Sequence, residues 1–275
     1  MTFVKPRSVP RPDIVRVRPK KLKNLDLPTQ ERSPISTQGI LTQESIWYLR
    51  NWSGFQLRAG GSQPEYDYVM GQWNVPALVG SERGDLSSMS MWVGLDSDRP
   101  DLVQAGTEVQ DTVMNGMHVF SYFAWHQFLP QQQVTQQLAG FDVNPNDEMF
   151  VTVSLAPFEA EFFFGNLTTN HSTVVPTSRG STRVHGTEVE RPMYDSVFGD
   201  LADYGSAVMS AAYARLAGRP RGYVAYQGGT NVQITMLEMN TILSTVTPID
   251  GASMRFTWRD FTGRFPLPPS PGLPP

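Results

Sequence analysis

The chain has no cysteine. That absence removes disulfide staples, a thiol nucleophile and any Cys-ligated zinc centre together. Long apolar runs are missing as well: no stretch of about 18 apolar residues suggests a membrane span. The four histidines (His118, His126, His171, His185) show no paired ligand spacing such as HExxH. There is no G-x-S-x-G elbow, and the glycine-rich "YQGGTN" is short and lacks the lysine of a phosphate loop. The acidic stretch "DSDRPD" has the rhythm of a calcium loop without its turn glycine or terminal glutamate, so an ordinary solvated turn is the expected reading. Metal, cofactor and phosphate chemistry thus find no motif to rest on.

What is present is a globular composition, 40% apolar and 17% charged over 275 residues. That is long enough to bury a core in one large or two small domains, and a soluble chain is expected. Net charge is −4, but residues 1–33 carry +6 and the remainder −10. A basic, proline-containing arm with few apolar residues cannot offset the entropy of ordering itself, so residues 1–45 read as a flexible arm or pro-segment. Its basic residues lack interleaved aromatics, and no nucleic-acid partner is expected. No apolar segment follows the charges, so no secretory signal is read. The expectation is a cytoplasmic location or export by a non-standard route. The tail, residues 263–275, ends in "FPLPPSPGLPP", which is polyproline-like and expected to be extended.

Between them, residues 46–262 alternate short β-favouring runs with Gly, Pro, Asn and Asp clusters, the pattern of an all-β, antiparallel two-sheet sandwich of the lectin-like kind. Strands are predicted at 52–58, 68–74, 88–94, 118–128, 148–155, 161–166, 207–216, 232–237 and 253–258. One or two short helices are expected, in "TQESIWYLRN" (42–51) and "PMYDSVFGDLADYG" (192–205). In "DLVQAGTEVQ", alternation gives Gln104 a half-buried position between Val103 and Ala105. A buried amide needs partners, so Gln104 is either a structural hydrogen-bonder or the polar group of a site.

Eight segments occur in a telling order: "RNWSG", "VMGQWNVP", "MWVGLD", "LVQAG", "YFAWHQFLP", "FFFGNLTTN", "VERP" and "LADYGS". Together they resemble the successive signature segments of the glutamic peptidases, the eqolisins. The resemblance implies a sandwich with a substrate cleft on one sheet and an acid endopeptidase working without metal or organic cofactor on a polypeptide substrate. Carried over residue by residue, it puts the catalytic glutamine at Gln104 and the catalytic glutamate at Glu190, with Glu188 competing for that role. Asp96, Tyr122, Trp125 and Gln127 fall where the family lines or supports the cleft.

Two departures bear on activity. The family's W-Y-E-W is here Trp125-His126-Gln127-Phe128, so a carboxylate beside the pair becomes an amide. The A-E-W of the later segment reads His185-Gly186-Thr187, without its acid and its aromatic wall. A catalytically weak or inactive binding module, holding a peptide or glycan against Trp125, Tyr122 and Phe128, is the alternative. Sequons at Asn51, Asn166 and Asn170 are expected to be silent without export.

Overall fold

The computed structural model describes residues 51–57, 66–80, 86–95, 102–129, 132, 134–156, 159–178, 200–219, 222–226, 231–238 and 241–259. It also describes strand backbone at 15–16, 20–21, 43–49, 185–190, 193–194 and 197–198. Statements below concern these residues. The calcium-like loop, Asp96, most of both terminal segments and the glycines of "YQGGTN" lie outside them.

The long strands are β1 (Gln43–Leu49), β2 (Trp52–Leu57), β3 (Tyr66–Asn74), β4 (Leu86–Leu95), β5 (Val103–Met114), β6 (Met117–Phe128), β7 (Gln136–Asp142) and β8 (Glu148–Ala156). They continue with β9 (Glu159–Asn166), β10 (His171–Ser178), β11 (His185–Glu190), β12 (Ser206–Leu216), β13 (Asn231–Glu238), β14 (Thr241–Asp250) and β15 (Ser253–Trp258). One sheet runs β7-β6-β5-β4-β11-β2-β13-β1, antiparallel except for the parallel β13–β1 pair. The second runs β10-β9-β8-β3-β12-β15 and is antiparallel throughout. β14 joins them, leaving β13 of the first sheet to pair along most of its length with β15 of the second. Strands that switch sheets in this way make the corners of a sandwich.

At the opposite edges, two dipeptides of the basic arm supply short ladders. Val15–Arg16 runs parallel to Leu138–Ala139 of β7, and Lys20–Lys21 antiparallel to His171–Ser172 of β10. Unpaired strand edges are a liability, and these pairings cover part of both. The long β5–β6 hairpin closes through Asn115 (φ 54°) and Gly116 (φ 76°). Two consecutive positive φ values give the two-residue turn whose twist suits a hairpin, which is why Asn-Gly stands there.

Period-two alternation decides what faces the core. In β4 and β5 the inward set is Met89, Met91, Val93, Val103, Ala105 and Val109, packed against Trp73, Met149, Val151 and Phe162 of the second sheet. Each valine and methionine among them contributes about 1.5–3 kcal/mol by leaving water. Polar ties also cross between the sheets. The Trp73 Nε1–H donates to Thr107 Oγ1 at 2.9 Å, and the His126 ring stacks on Phe162 with centroids 4.8 Å apart. Buried hydroxyls of Tyr204, Ser244 and Ser53 form a chain with 2.7 and 2.6 Å links.

The two expected helices are not helices. The first is β1, whose Ser45–Leu49 segment takes ladder bonds from Val232–Met236 of β13. A helix of under three turns is marginal by itself, so β-favouring Ile46, Trp47 and Tyr48 follow the available sheet edge. In the second, Met193–Tyr194 pairs with Val197–Phe198, and Asp200–Leu201 runs parallel to Ser87–Ser88 of β4. There Leu201, Ala202 and Tyr204 are buried, and the Ala202 N–H donates to the Ser88 carbonyl. Among the described residues no helix is long and apolar enough to cross a membrane.

Candidate active site

Gln104 sits on β5 in the alternation opposite to the core set. Its cross-strand neighbours form one row over five strands: Gln127 (β6), Gln104 (β5), Gly94 (β4), Gly186 (β11) and Gln56 (β2). The next row along is Trp125, Gly106, Trp92, Glu188 and Gly54, and the one after it Phe123, Glu108, Ser90, Glu190 and Trp52. Both candidate glutamates therefore share the alternation of Gln104. The side chains of β11 lie outside the described residues.

The floor of this face is tightly built. Trp92 lies against two glycines: a Cβ on Gly106 would meet Met91 O at 2.2 Å and Trp92 Cβ at 2.6 Å, and one on Gly94 would meet Trp92 Cζ3 at 2.8 Å. No side chain fits at either position, and at Gly94 the indole ring itself takes the space. Trp52 meets Trp92 edge to face at 6.4 Å and belongs to a small apolar cluster with Val232 and Ile234.

Gln104 is only 5% exposed. Its Nε2 donates to Gln127 Oε1 at 2.7 Å, and Gln127 Nε2 in turn donates to the Gln132 carbonyl at 3.2 Å. The Gln132 side chain accepts from the Phe128 N–H at 3.0 Å. A backbone carbonyl can only accept, so Gln127 must present its oxygen to Gln104, and Gln104 its nitrogen to Gln127. Gln104 Oε1 is left without a partner, as are Trp92 Nε1, Trp125 Nε1 and Ser88 Oγ, all buried and in the same alternation among the described residues. Buried polar atoms without partners are uncommon in native folds, and four of them share this face.

One ionisable group stands among them. Glu108 is 5% exposed, and burial pushes its carboxyl up to about 7, while hydrogen bonds with Gln110 and Ser90 hold it back. Gln110 Nε2 donates to Glu108 Oε1 at 2.7 Å. On the core side, burial lowers His126 to about 4, opposed weakly by Gln132. Neither ring nitrogen of His126 has a partner of good geometry.

The expected site residues thus fall into four groups. Gln104, Trp125 and Gln127 share one face, with Gln127 bonded directly to Gln104. Glu188 and Glu190 occupy that alternation on β11. Asp96 lies outside the described residues. Tyr122 does not join them: it pairs with Val109, shares the core-side alternation with Ala124, His126 and Phe128, and packs against the inter-sheet core. Tyr122 instead borders a cavity of about 420 Å³ at the β6–β7 edge, with Phe123, Gln137, Leu138, Phe141 and Asp142. Phe128, with no exposed surface, is likewise core. Sequence reading missed Glu108, although its spacing of four from Gln104 on a strand puts it on the same face. It also missed Trp92 as the floor. Among the described residues no group of three His, Asp or Glu side chains could hold a metal.

The sequence model of the Peptidase A4 family matches residues 50–258, and the chain belongs to that family. Among the solved structures similar to it are three glutamic peptidases. Scytalido-glutamic peptidase, determined with a transition-state analogue inhibitor, is 18% identical over 76% of this chain and 98% of its own, with a TM-score of 0.61. SCP-B, a member of the eqolisin family in complex with the tripeptide Ala-Ile-His, is 16% identical over the same shares, with a TM-score of 0.59. Aspergilloglutamic peptidase from Aspergillus niger is 21% identical over 63% of this chain and 99% of its own, with a TM-score of 0.52. At such identities the likeness is one of fold. No curated protein sequence matches the chain.

Proposed function

We propose that this protein is a glutamic-type endopeptidase, hydrolysing peptide bonds by attack of a water held between Gln104 and a glutamate of β11. The observation that carries the reading is Gln104 itself. It is a buried amide, fixed in orientation, with an unpartnered oxygen and a second N–H on the face it shares with the β11 glutamates. The free Oε1 suits the attacking water as an acceptor, and the spare N–H suits the oxyanion that develops on the carbonyl. An ionised glutamate takes the water's proton and returns it to the leaving amine. Burial on this floor favours the protonated carboxyl, in keeping with work on the acid side of neutrality.

The family motif assigns the base to Glu190. The ladder supports Glu188, two strands across and one row along from Gln104, about 12 Å between Cα atoms against about 16 Å for Glu190 by ideal strand spacings. The shorter span suits a single bridging water. The same ladder favours a second reading, a peptide-binding protein that does not cut, because the residue directly across Gly94 from Gln104 is Gly186, which has no side chain. Digestion of a denatured protein between pH 2 and 7, read by mass spectrometry, separates the readings. Cleavage abolished by Gln104→Ala and by one of Glu188→Gln or Glu190→Gln supports the peptidase and names its base. No cleavage by the parent at any pH, with peptide still bound, supports the binding protein.

A further inference from the structure

We infer that Gln127 is a positioning residue for Gln104, and that the amide at this position frees the site's geometry from the ionisation of a neighbouring carboxyl. The inference rests on the peptidase reading for its kinetic consequence, while its structural content stands apart from catalysis.

Any glutamine carries an ambiguity. The two ends of an amide are nearly the same shape, and only hydrogen bonds decide which one faces a substrate. For Gln104 the decision is made at one remove. The Gln132 carbonyl accepts from Gln127 Nε2, which turns Gln127 Oε1 towards Gln104, where it accepts from Nε2 at 2.7 Å. Rotating Gln104 by half a turn would set two oxygens against each other in a buried place. The relay therefore holds Oε1 and the second N–H of Gln104 outward together, the two groups that hydrolysis needs.

In the family pattern this position is a glutamate. A protonated glutamate at 127 can imitate the amide, donating its O–H to the Gln132 carbonyl and accepting from Gln104. Once ionised it has no donor left, and a carboxylate oxygen faces a carbonyl oxygen. The carboxylate still accepts from Gln104 Nε2, so the orientation of Gln104 is kept, but repulsion from the Gln132 carbonyl displaces the side chain that holds it: a glutamate here makes the placement of Gln104 depend on pH, and glutamine does not. On this face Gly94 follows Gln104 across the ladder, and Trp125 lies one row along. The titrating groups that share the face are Glu108, two rows from Gln104 on β5, and Glu188 and Glu190 in the alternation of β11; all three are common to the parent and to every Gln127 variant. His126 next in sequence belongs to the opposite face, where burial keeps it neutral above about pH 4.

Three variants test this. Gln127→Leu removes the acceptor, and kcat is expected to fall about tenfold to a hundredfold with KM little changed, since an oxyanion donor acts mainly in the transition state. Gln127→Glu is expected to match the parent near pH 3–4 and lose about tenfold or more relative to it by pH 7. Gln127→Asn, too short to bridge, is expected to resemble the leucine variant. Side-chain amide NMR signals of Gln104 provide a readout independent of cleavage: shifted in Gln127→Leu, and titrating with pH in Gln127→Glu but not in the parent. A rise in KM alone in Gln127→Leu would make this residue a substrate contact and overturn the inference. So would Gln104 signals that ignore all three substitutions. Loss of cleavage in the parent with the NMR pattern intact would count against the peptidase reading alone.

Discussion

Replacing Glu108 with glutamine should change how the stability of the fold depends on pH, and by a calculable amount. In the folded chain burial raises Glu108 from 4.5 to about 7. A carboxyl with a raised folded pKa contributes stability that is fully present below 4.5 and is lost as pH rises through 7. The difference of about 2.5 units corresponds to roughly 3 kcal/mol. His126 works in the opposite sense. Burial lowers it from 6.5 to about 4, so its contribution is present above 6.5 and lost as pH falls through 4, again by roughly 3 kcal/mol. Between pH 4.5 and 6.5 the two slopes oppose each other, and their sum is close to flat. Glu108→Gln keeps the shape of the neutral acid but cannot ionise, leaving the His126 slope unopposed. Urea denaturation followed by tryptophan fluorescence at several pH values from 4 to 7.5 reads this directly. The stability of Glu108→Gln minus that of the parent should grow by roughly 3 kcal/mol from pH 4.5 to 7. Every other titrating group is common to both proteins and cancels in the difference. Parallel profiles would refute the claim that this carboxyl is held protonated by its burial.

Other substitutions test the architecture around the site. Gly106→Ala places a methyl 2.2 Å from the Met91 carbonyl and should lower stability by more than about 4 kcal/mol in thermal or urea melts, or prevent folding. Thr107→Val leaves the buried Trp73 N–H without its acceptor and should lower stability by about 1–3 kcal/mol, with cleavage specificity unchanged because the pair lies on the core side. His126→Phe keeps an aromatic ring against Phe162 and removes the titrating group, so its stability should fall less than the parent's as pH drops from 6.5 to 4.

Much of this fold is legible in the sequence because strands declare themselves by alternation. β5, β7 and β11 were not among the predicted strands, and for two others, β10 and β14, a physical reason can be named. β10 contains Pro176 and β14 contains Pro248, and proline argues against a strand until the partner is known. Pro176 lies in the edge strand of the second sheet, beyond the two residues that Lys20–Lys21 cover, and Pro248 sits beside a register shift in its ladder. The helical expectation at 42–51 fails because nothing local reveals that β13 offers it a parallel edge. At the site, Gln104 stands out as an amide between Val103 and Ala105, in the alternation opposite to theirs, and it is buried. Tyr122 was expected on the same face as Trp125 although the two are an odd number of residues apart on one strand, which puts them on opposite faces. Glycosylation at the Asn166 sequon meets an obstacle that the sequence hides: the side chain has no exposed surface and donates to Asp147 Oδ2 at 2.7 Å. The relay through Gln127 and Gln132 was not legible, since it depends on how the chain turns after β6.

The most direct test of the central claim is a crystal structure of the protein with a peptide-based transition-state analogue bound at acidic pH. The analogue's tetrahedral hydroxyl is expected within hydrogen-bond distance of the Gln104 amide and of a Glu188 or Glu190 carboxylate, over Gly94 and beside Trp92. An analogue seated against any other surface, or a Gln104 amide that touches nothing in the complex, would contradict it.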